Sequence, residues 1–330
     1  MTASGLLGTT DPALQEVISQ GMERVEARLR KVVRSSHPML TEAASHLVEA
    51  GGKRVRPLLT LLSAQLGDGK RPEVIDAAVV VELTHLATLY HDDVMDEAPV
   101  RRGAASANTR WTNTVAILTG DYLFARASDL TAGLGTEATH LQARTFARLV
   151  EGQIAETAGP PDGADAVAHH LKVLADKTAS LLSTSARLGA MTAGLDDKTV
   201  ELVAEFGEVF GVAFQLSDDL IDVLSESEQS GKTPGTDLRE GIDTLPVLLV
   251  RASDDPASIL LARLLGGDLT SDAALAEALR QLRAHPAMDQ AREVLQSYAD
   301  RARDVVHQLP EGQTREAFLA LTDFVLARTG

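Results

Sequence analysis

Two aspartate triplets carry most of the chemistry that this chain could perform. Asp92-Asp93-Val94-Met95-Asp96 follows Leu89-Tyr90-His91, and Asp218-Asp219-Leu220-Ile221-Asp222 follows Phe214-Gln215-Leu216-Ser217. Both close apolar stretches of helical period. At about 100° per residue, positions i, i+1 and i+4 share one helix face, so each triplet aims three carboxylates at one place. Their mutual repulsion, deepened by the negative end of the helix, calls for a hard cation with oxygen ligands, above all Mg²⁺. One such run alone reads better as a solvated helix face. Two of identical spacing, bordered by Leu86, Leu89, Val94 and Met95 or by Leu216, Leu220 and Ile221, do not fit that reading.

Basic residues gather in four other places. Gly51-Gly52-Lys53-Arg54-Val55-Arg56-Pro57 sets three cations on a glycine turn where a helix begins. Proline at a first helical position and the N–H groups of a helix N-terminus suit an anion there. Arg101-Arg102-Gly103 follows the first triplet, Lys177-Thr178 lies within a helical stretch, and Gly231-Lys232 lies in a polar segment. Carboxylates for a metal beside guanidinium and ammonium groups for phosphate point to a metal-bridged polyphosphate. Taken alone, Arg101-Arg102 reads better as a surface pair, and Lys53 to Arg56 reads equally well either way. His85, one turn before the first triplet, is expected to face the same cavity, and His91 reads as a hydrogen-bonded helix residue. His140, His169 and His170 have no recognisable partners.

The elements that must position these groups are helices. Apolar residues recur at three- and four-residue spacing over 11–33, 73–95, 137–156, 165–191, 198–224, 286–307 and 314–328. Val, Ile and Thr runs bounded by turn signals are nearly absent, and alanine is abundant. Gly51-Gly52, Gly67-Asp68-Gly69, Gly159 to Gly163 and Gly194 to Asp197 break the pattern. The expectation is an all-α single domain over 1–330, of about a dozen helices. Residues 1–10 are expected to be a flexible N-terminus and 225–237 a mobile loop. No repeat of solenoid period is present. With 47 acidic against 31 basic residues, the charge of −16 argues against nucleic acid as a partner. The hydrophobic fraction of 44% excludes intrinsic disorder. The absence of cysteine removes disulfides, thiolate zinc sites and cysteine nucleophiles. No run of apolar residues is long enough to span a membrane, and Met1 to Leu7 does not resemble a signal peptide. A cytoplasmic protein is expected.

The ordered set GGKRVRP at 51–57, HDDVMD at 91–96, RRG at 101–103, GDYLFARA at 120–127, KTA at 177–179, FQLSDDLID at 214–222 and GKTPGTDLREG at 231–241 resembles the all-trans polyprenyl diphosphate synthases. These are isoprenoid chain-elongating prenyltransferases. The resemblance implies a helical barrel around a deep central cavity, a homodimer, and Mg²⁺-dependent head-to-tail condensation of isopentenyl diphosphate with an allylic prenyl diphosphate. It implies that Asp92, Asp96 and Asp218 hold the metal, roughly two or three ions, and that Asp93, Asp219 and Asp222 complete or support the clusters. Arg101, Lys177, Thr178, Gln215 and Lys232 would bind the allylic diphosphate, and Lys53, Arg56, His85 and Arg102 isopentenyl diphosphate. The family pattern EGKxTLP is broken here, because Ile242 stands in Glu240-Gly241-Ile242-Asp243-Thr244-Leu245-Pro246 where lysine is expected.

By the same resemblance, the growing tail runs along the helix that carries the first triplet, past Thr88, Ala87, Thr84 and Val81. Short-chain members block this route with an aromatic near Ala87 and Thr88. Both are small here, so a long product of around C35–C45 is expected, the depth of a pocket bounding its occupant. Phe124, Phe146 or Phe214 on a neighbouring helix could override that rule. The alternatives are a short-chain farnesyl or geranylgeranyl synthase and a non-catalytic partner in a heteromeric synthase. A class I terpene cyclase would need neither the Lys53–Arg56 site nor a second aspartate motif, and an HD-type phosphohydrolase would leave Asp218 to Asp222 unexplained.

Overall fold

The computed structural model describes residues 11–225 and 234–329. Among these the order is α1 (Pro12–Val32), α2 (Pro38–Glu49), α3 (Val55–Ala64), α4 (Pro72–Met95), β1 (Val100–Arg101), β2 (Ala104–Ala105), α5 (Ala107–Arg110), α6 (Asn113–Gly133) and α7 (Thr136–Ala158). It continues with α8 (Ala166–Leu174), a π-helical turn (Ala175–Ala179), α9 (Ser180–Thr192), α10 (Asp197–Leu224), α11 (Thr236–Arg239), α12 (Leu245–Arg251), α13 (Pro256–Leu265), α14 (Asp272–Arg283), α15 (Ala287–Val306) and α16 (Gln313–Ala327). The all-α expectation holds, with α5 and α11 single turns. The periodic stretch over 165–191 is not one helix, because the π-turn separates α8 from α9. The hairpin β1–β2 is a second departure, too short to leave a strand signature in the sequence. Much of the 225–237 segment expected to be a mobile loop lies outside the described residues.

The chain divides into two compact units. The first comprises Met1–Leu149, Ser180–Gly207 and Val305–Leu321. Its α1 starts where the Asp11 carboxylate accepts from the Ala13 N–H at 2.7 Å with Pro12 following, and it buries Ile18, Val25 and Leu29 along one stripe. At the centre, α4 buries residues all round its circumference, most of them apolar, as a helix surrounded by others must. By length and composition it could cross a membrane, yet 67% of its most apolar window is buried, as in a core helix. Two glycines let neighbouring helices approach closely. A Cβ on Gly189 of α9 would lie 2.1 Å from the Thr60 carbonyl oxygen of α3, and one on Gly120 of α6 would lie 2.3 Å from the His91 ring of α4. Ala77, Val80 and Val81 of α4 pack with Leu149, Leu181 and Leu188, and Leu141 and Phe146 lie against them.

The second unit comprises Val150–Ala179, Glu208–Asp304 and Thr322–Gly330. Asp165 caps α8 through the Val167 and Ala168 N–H groups, and Asp255 caps α13 through those of Ala257 and Ser258. Gly152 matters to the site. A Cβ there would lie 2.9 Å from both the Asp176 side chain and the Lys177 nitrogen, so only glycine lets α7 lie against the π-turn.

Candidate active site

The first aspartate cluster ends α4. Ala98 N–H bonds back to the Asp93 carbonyl at 3.0 Å while Glu97 takes a left-handed φ of 49°, a tight helix stop that turns the chain into the β1–β2 hairpin. Two residues close that hairpin, Arg102 at φ 55° and Gly103 at φ 76°, with Arg101 paired to Ala104. Both central residues in the left-handed region suit the twist of a two-residue β-turn. The hairpin brings Arg101 back onto α4, where its Nε donates to Asp93 Oδ1 at 2.6 Å and Nη2 stands 3.9 Å from Asp96 Oδ2. Asp93 is fully buried, its Oδ2 makes no hydrogen bond, and burial raises its pKa against the pull of Arg101. Asp92 is half-buried and Asp96 exposed. Met95, expected as an apolar flank, is 54% exposed.

The basic turn lies in the same unit. Gly51 and Gly52 take φ of 81° and 143°, Arg54 a left-handed 49°, and α3 starts at Val55. Pro57 is therefore the third residue of α3 and not the first, still within the turn whose N–H groups lack helical partners. No side chain caps this N-terminus. Arg54 is buried and fully engaged. It donates to Glu82 and to Glu26, each at 2.6 Å, and to the Val48 carbonyl at 2.9 Å. Arg102 reaches the Leu47 carbonyl at 3.2 Å and the Gly51 carbonyl, with Glu82 at 3.8 Å. A Cβ on Gly52 would come within 2.8 Å of its guanidinium carbon. Lys53 is exposed. The Arg56 Nε is buried without a hydrogen bond, and burial pushes its pKa down to about 10 despite Glu82. The half-buried His85 is held well below its usual pKa by burial and then by Arg56, Arg102, Arg54 and Arg101, so its ring is neutral at pH 7. A half-buried, cation-rich cradle with an unengaged guanidinium nitrogen is suited to a multiply charged anion.

The tail-route residues sort by burial. Val81, Thr84 and Ala87 are buried, and Thr88 is half-buried with its hydroxyl on the His85 carbonyl at 2.8 Å. Tyr90 is turned away, its hydroxyl bonded to the Ala43 carbonyl. His91 bonds to the Ile117 carbonyl at 3.1 Å, a helix residue with a packing partner. Cavities of about 450 and 580 Å³ in this unit, one along Thr136 to Arg144 with Arg187 and Met191, the other between α2 and Arg110, contain no aspartate of the cluster.

In the second unit each aspartate has a different partner. Asp218 pairs with Arg328, whose guanidinium lies 5.2 Å from the Phe214 ring and 5.5 Å from that of Phe324. Asp219 Oδ1 accepts from Gln215 Nε2 at 3.0 Å, and Gln215 Oε1 from the Thr178 hydroxyl at 3.2 Å. Its buried Oδ2 faces His170 Nε2 at 3.6 Å, neither atom making a hydrogen bond. Asp222 accepts from the Thr236 and Asp237 N–H groups at 3.2 and 3.1 Å, closing the N-terminus of α11. Lys177, on the π-turn, pairs with Glu156. Lys232 lies outside the described residues. Ile242 is 43% exposed and brings no cation.

The two triplets therefore do not each gather three carboxylates at one point, and among the described residues no group of three or more acids and histidines is arranged to hold a metal ion. Adjacent helix positions diverge by about 100°; Asp218, Asp219 and Asp222 each meet a different partner, while Arg101 takes Asp93 and stands 3.9 Å from Asp96. Sequence reasoning missed Glu82, Glu156, His170 as a partner of Asp219, and Arg328. Glu82 had a visible signal, a lone acid inside an apolar helical run, which needs a partner if buried. Arg328 had none, lying more than a hundred residues from Asp218.

Comparison with known proteins accords with this arrangement. The polyprenyl synthetase family model matches residues 37–282. The nonaprenyl diphosphate synthase of Mycobacterium tuberculosis is 47% identical over 97% of this chain and 96% of its own. The geranylgeranyl pyrophosphate synthase of Corynebacterium glutamicum, solved with calcium and isoprenyl diphosphate, superposes with a TM-score of 0.88 at 42% identity over 97% of this chain and 98% of its own. A decaprenyl diphosphate synthase from Rhodobacter capsulatus gives 0.87 at 34% identity, over 96% and 99%. This chain, with its aspartate-bearing helix ends and its arginine cradle, belongs to the polyprenyl synthetase family and is a trans-prenyltransferase.

Proposed function

We propose that the protein elongates an allylic prenyl diphosphate with isopentenyl diphosphate to a long trans-polyprenyl diphosphate, around C35–C45, pocket depth setting the limit. The observation that carries the reading is Arg101, a cation suited to phosphate, held on Asp93 at the aspartate-bearing end of α4 in the same unit as the arginine cradle. Asp92, Asp96 and Asp218 would hold Mg²⁺, roughly two or three ions, whose chemistry is to draw electrons from the allylic diphosphate. The residues fit such a cation: the donors are oxygens, and the buried Oδ2 atoms of Asp93 and Asp219 lack hydrogen-bond partners. In this reading Arg101, Lys177, Lys232, Thr178 and Gln215 bind the departing diphosphate, and Gln215, itself accepting from Thr178, also donates to Asp219. The cradle of Lys53, Arg56, His85 and Arg102 takes the diphosphate of isopentenyl diphosphate. Neutral His85 contributes a hydrogen bond without adding to the crowd of positive charge. The isopentenyl double bond attacks the allylic carbon, and a proton then passes to the released diphosphate. The apolar surroundings of α4 keep water from the allylic cation and receive the tail.

A homodimer and a cytoplasmic location belong to the same reading. The test is mass spectrometry of products from purified protein, Mg²⁺, isopentenyl diphosphate and geranyl, farnesyl or geranylgeranyl diphosphate. Long polyprenyl diphosphates that vanish with EDTA support it. A product ending at C20, as the name of the Corynebacterium relative suggests for that enzyme, would keep the reaction and overturn the length. No elongation by a protein that binds the primers would point to a partner subunit.

A further inference from the structure

We propose that Glu82 is a positioning residue that assigns the two adjacent arginines of the hairpin to different substrates. The inference rests on the reading of Lys53, Arg56, His85 and Arg102 as the isopentenyl diphosphate cradle. Glu82 and Asp93 are eleven residues apart on α4, about three turns, and so share one face of the helix. Both are buried carboxylates on a largely apolar helix, 1% and 0% exposed, a placement that is costly unless each is paired. Each draws a different one of two consecutive arginines. Asp93 binds Arg101 at 2.6 Å, and Glu82 stands 3.8 Å from Arg102. The hairpin makes the division possible, since Arg101 is its last paired strand residue and Arg102 its first turn residue.

The surroundings of Glu82 divide its arginines into a fixed one and available ones. Arg54, between Glu82, Glu26 and two backbone carbonyls, has its donors committed and serves as scaffold. Arg102 has Nη1 on the Leu47 and Gly51 carbonyls but holds Glu82 only loosely through Nη2. The buried Nε of Arg56 is unbonded. One carboxylate thus holds Arg54, stands near Arg102 and acts electrostatically on Arg56, leaving a surplus of positive charge on the two that are not saturated. Removing it would leave Arg102 drawn only by backbone carbonyls, with Arg54 no longer fixed beside it.

The experiment is steady-state kinetics of the full chain with Mg²⁺, varying isopentenyl diphosphate at saturating farnesyl diphosphate and the reverse, with melting temperatures for each variant. Glu82→Gln is expected to raise KM for isopentenyl diphosphate about tenfold while KM for farnesyl diphosphate stays within about twofold. Glu82→Asp keeps the buried charge but withdraws it by one methylene, and is expected to raise the same KM about threefold. It serves as the test if Glu82→Gln fails to fold. Arg102→Ala checks the underlying reading. If it raises KM for isopentenyl diphosphate while a folded Glu82→Asp leaves that KM unchanged, the assignment by Glu82 is wrong and the cradle stands. If Arg102→Ala itself leaves that KM unchanged, the cradle reading and the proposal fall together. An equal rise in both KM values for the Glu82 variants would mark a merely structural carboxylate and overturn the proposal.

Discussion

Burial and neighbouring charge set what single residues do here. His85 lies among Arg54, Arg56, Arg101 and Arg102, and its pKa in the folded protein is well below the value of about 6.5 expected for an unfolded chain. Between those two values the unfolded state binds more protons, so this residue's contribution to stability falls as pH drops below about 6.5. Urea unfolding from pH 8 to pH 5.5 without diphosphate should show that loss, and His85→Gln should lessen it. An unchanged slope in the variant would mean that the ring titrates as it does in water. Arg328 illustrates competition for a carboxylate. Its pair with Asp218 is partly screened, with side chains 13% and 26% exposed, so replacing it should release about 1 kcal/mol of competition at most. Arg328→Met is therefore expected to lower the half-saturating Mg²⁺ concentration up to about fivefold, read from the metal dependence of turnover. A higher Mg²⁺ requirement would show that the arginine helps to build the site.

Among the elements, the glycine contacts are the most demanding. At Gly189 an added Cβ would meet the backbone of α3 and not a side chain that could swing away. Gly189→Ala should cost about 2–3 kcal/mol in urea denaturation, because the helices must separate. The helices were largely legible in the sequence. The periodicity over 73–95 and 198–224 gives α4 and α10 to within a residue, since amphipathic or fully apolar stretches with proline or glycine at their ends leave few other solutions. The π-turn at Ala175–Ala179 was not legible, because one extra residue in a helical turn does not disturb apolar spacing enough to be seen. Yet that turn carries Lys177 and Thr178. The hairpin was equally hidden, since two-residue strands leave no alternation to read.

At the scale of the molecule, the sequence displayed the residues of the reaction but not their pairings. The aspartates and basic motifs stand in contiguous runs, whereas Glu82 with Arg54, Glu156 with Lys177 and Asp218 with Arg328 join distant segments within a unit. Product length is likewise a property of assembled helices. Thr88 is the half-buried member of the tail route, so Thr88→Phe should shorten the product in mass-spectrometric analysis with little loss of stability. A product of unchanged length would place the floor on another helix. The hairpin after α4 also constrains how this chain can vary over evolution. Its turn has room for two residues and both must adopt positive φ. One residue gained between Pro99 and Gly103 would shift Arg101 and Arg102 by a position and reverse the sides to which they point. Length variation is therefore expected to accumulate in joints such as 159–165 between α7 and α8, and to be selected against in these few residues, even though both segments lie in turns between helices.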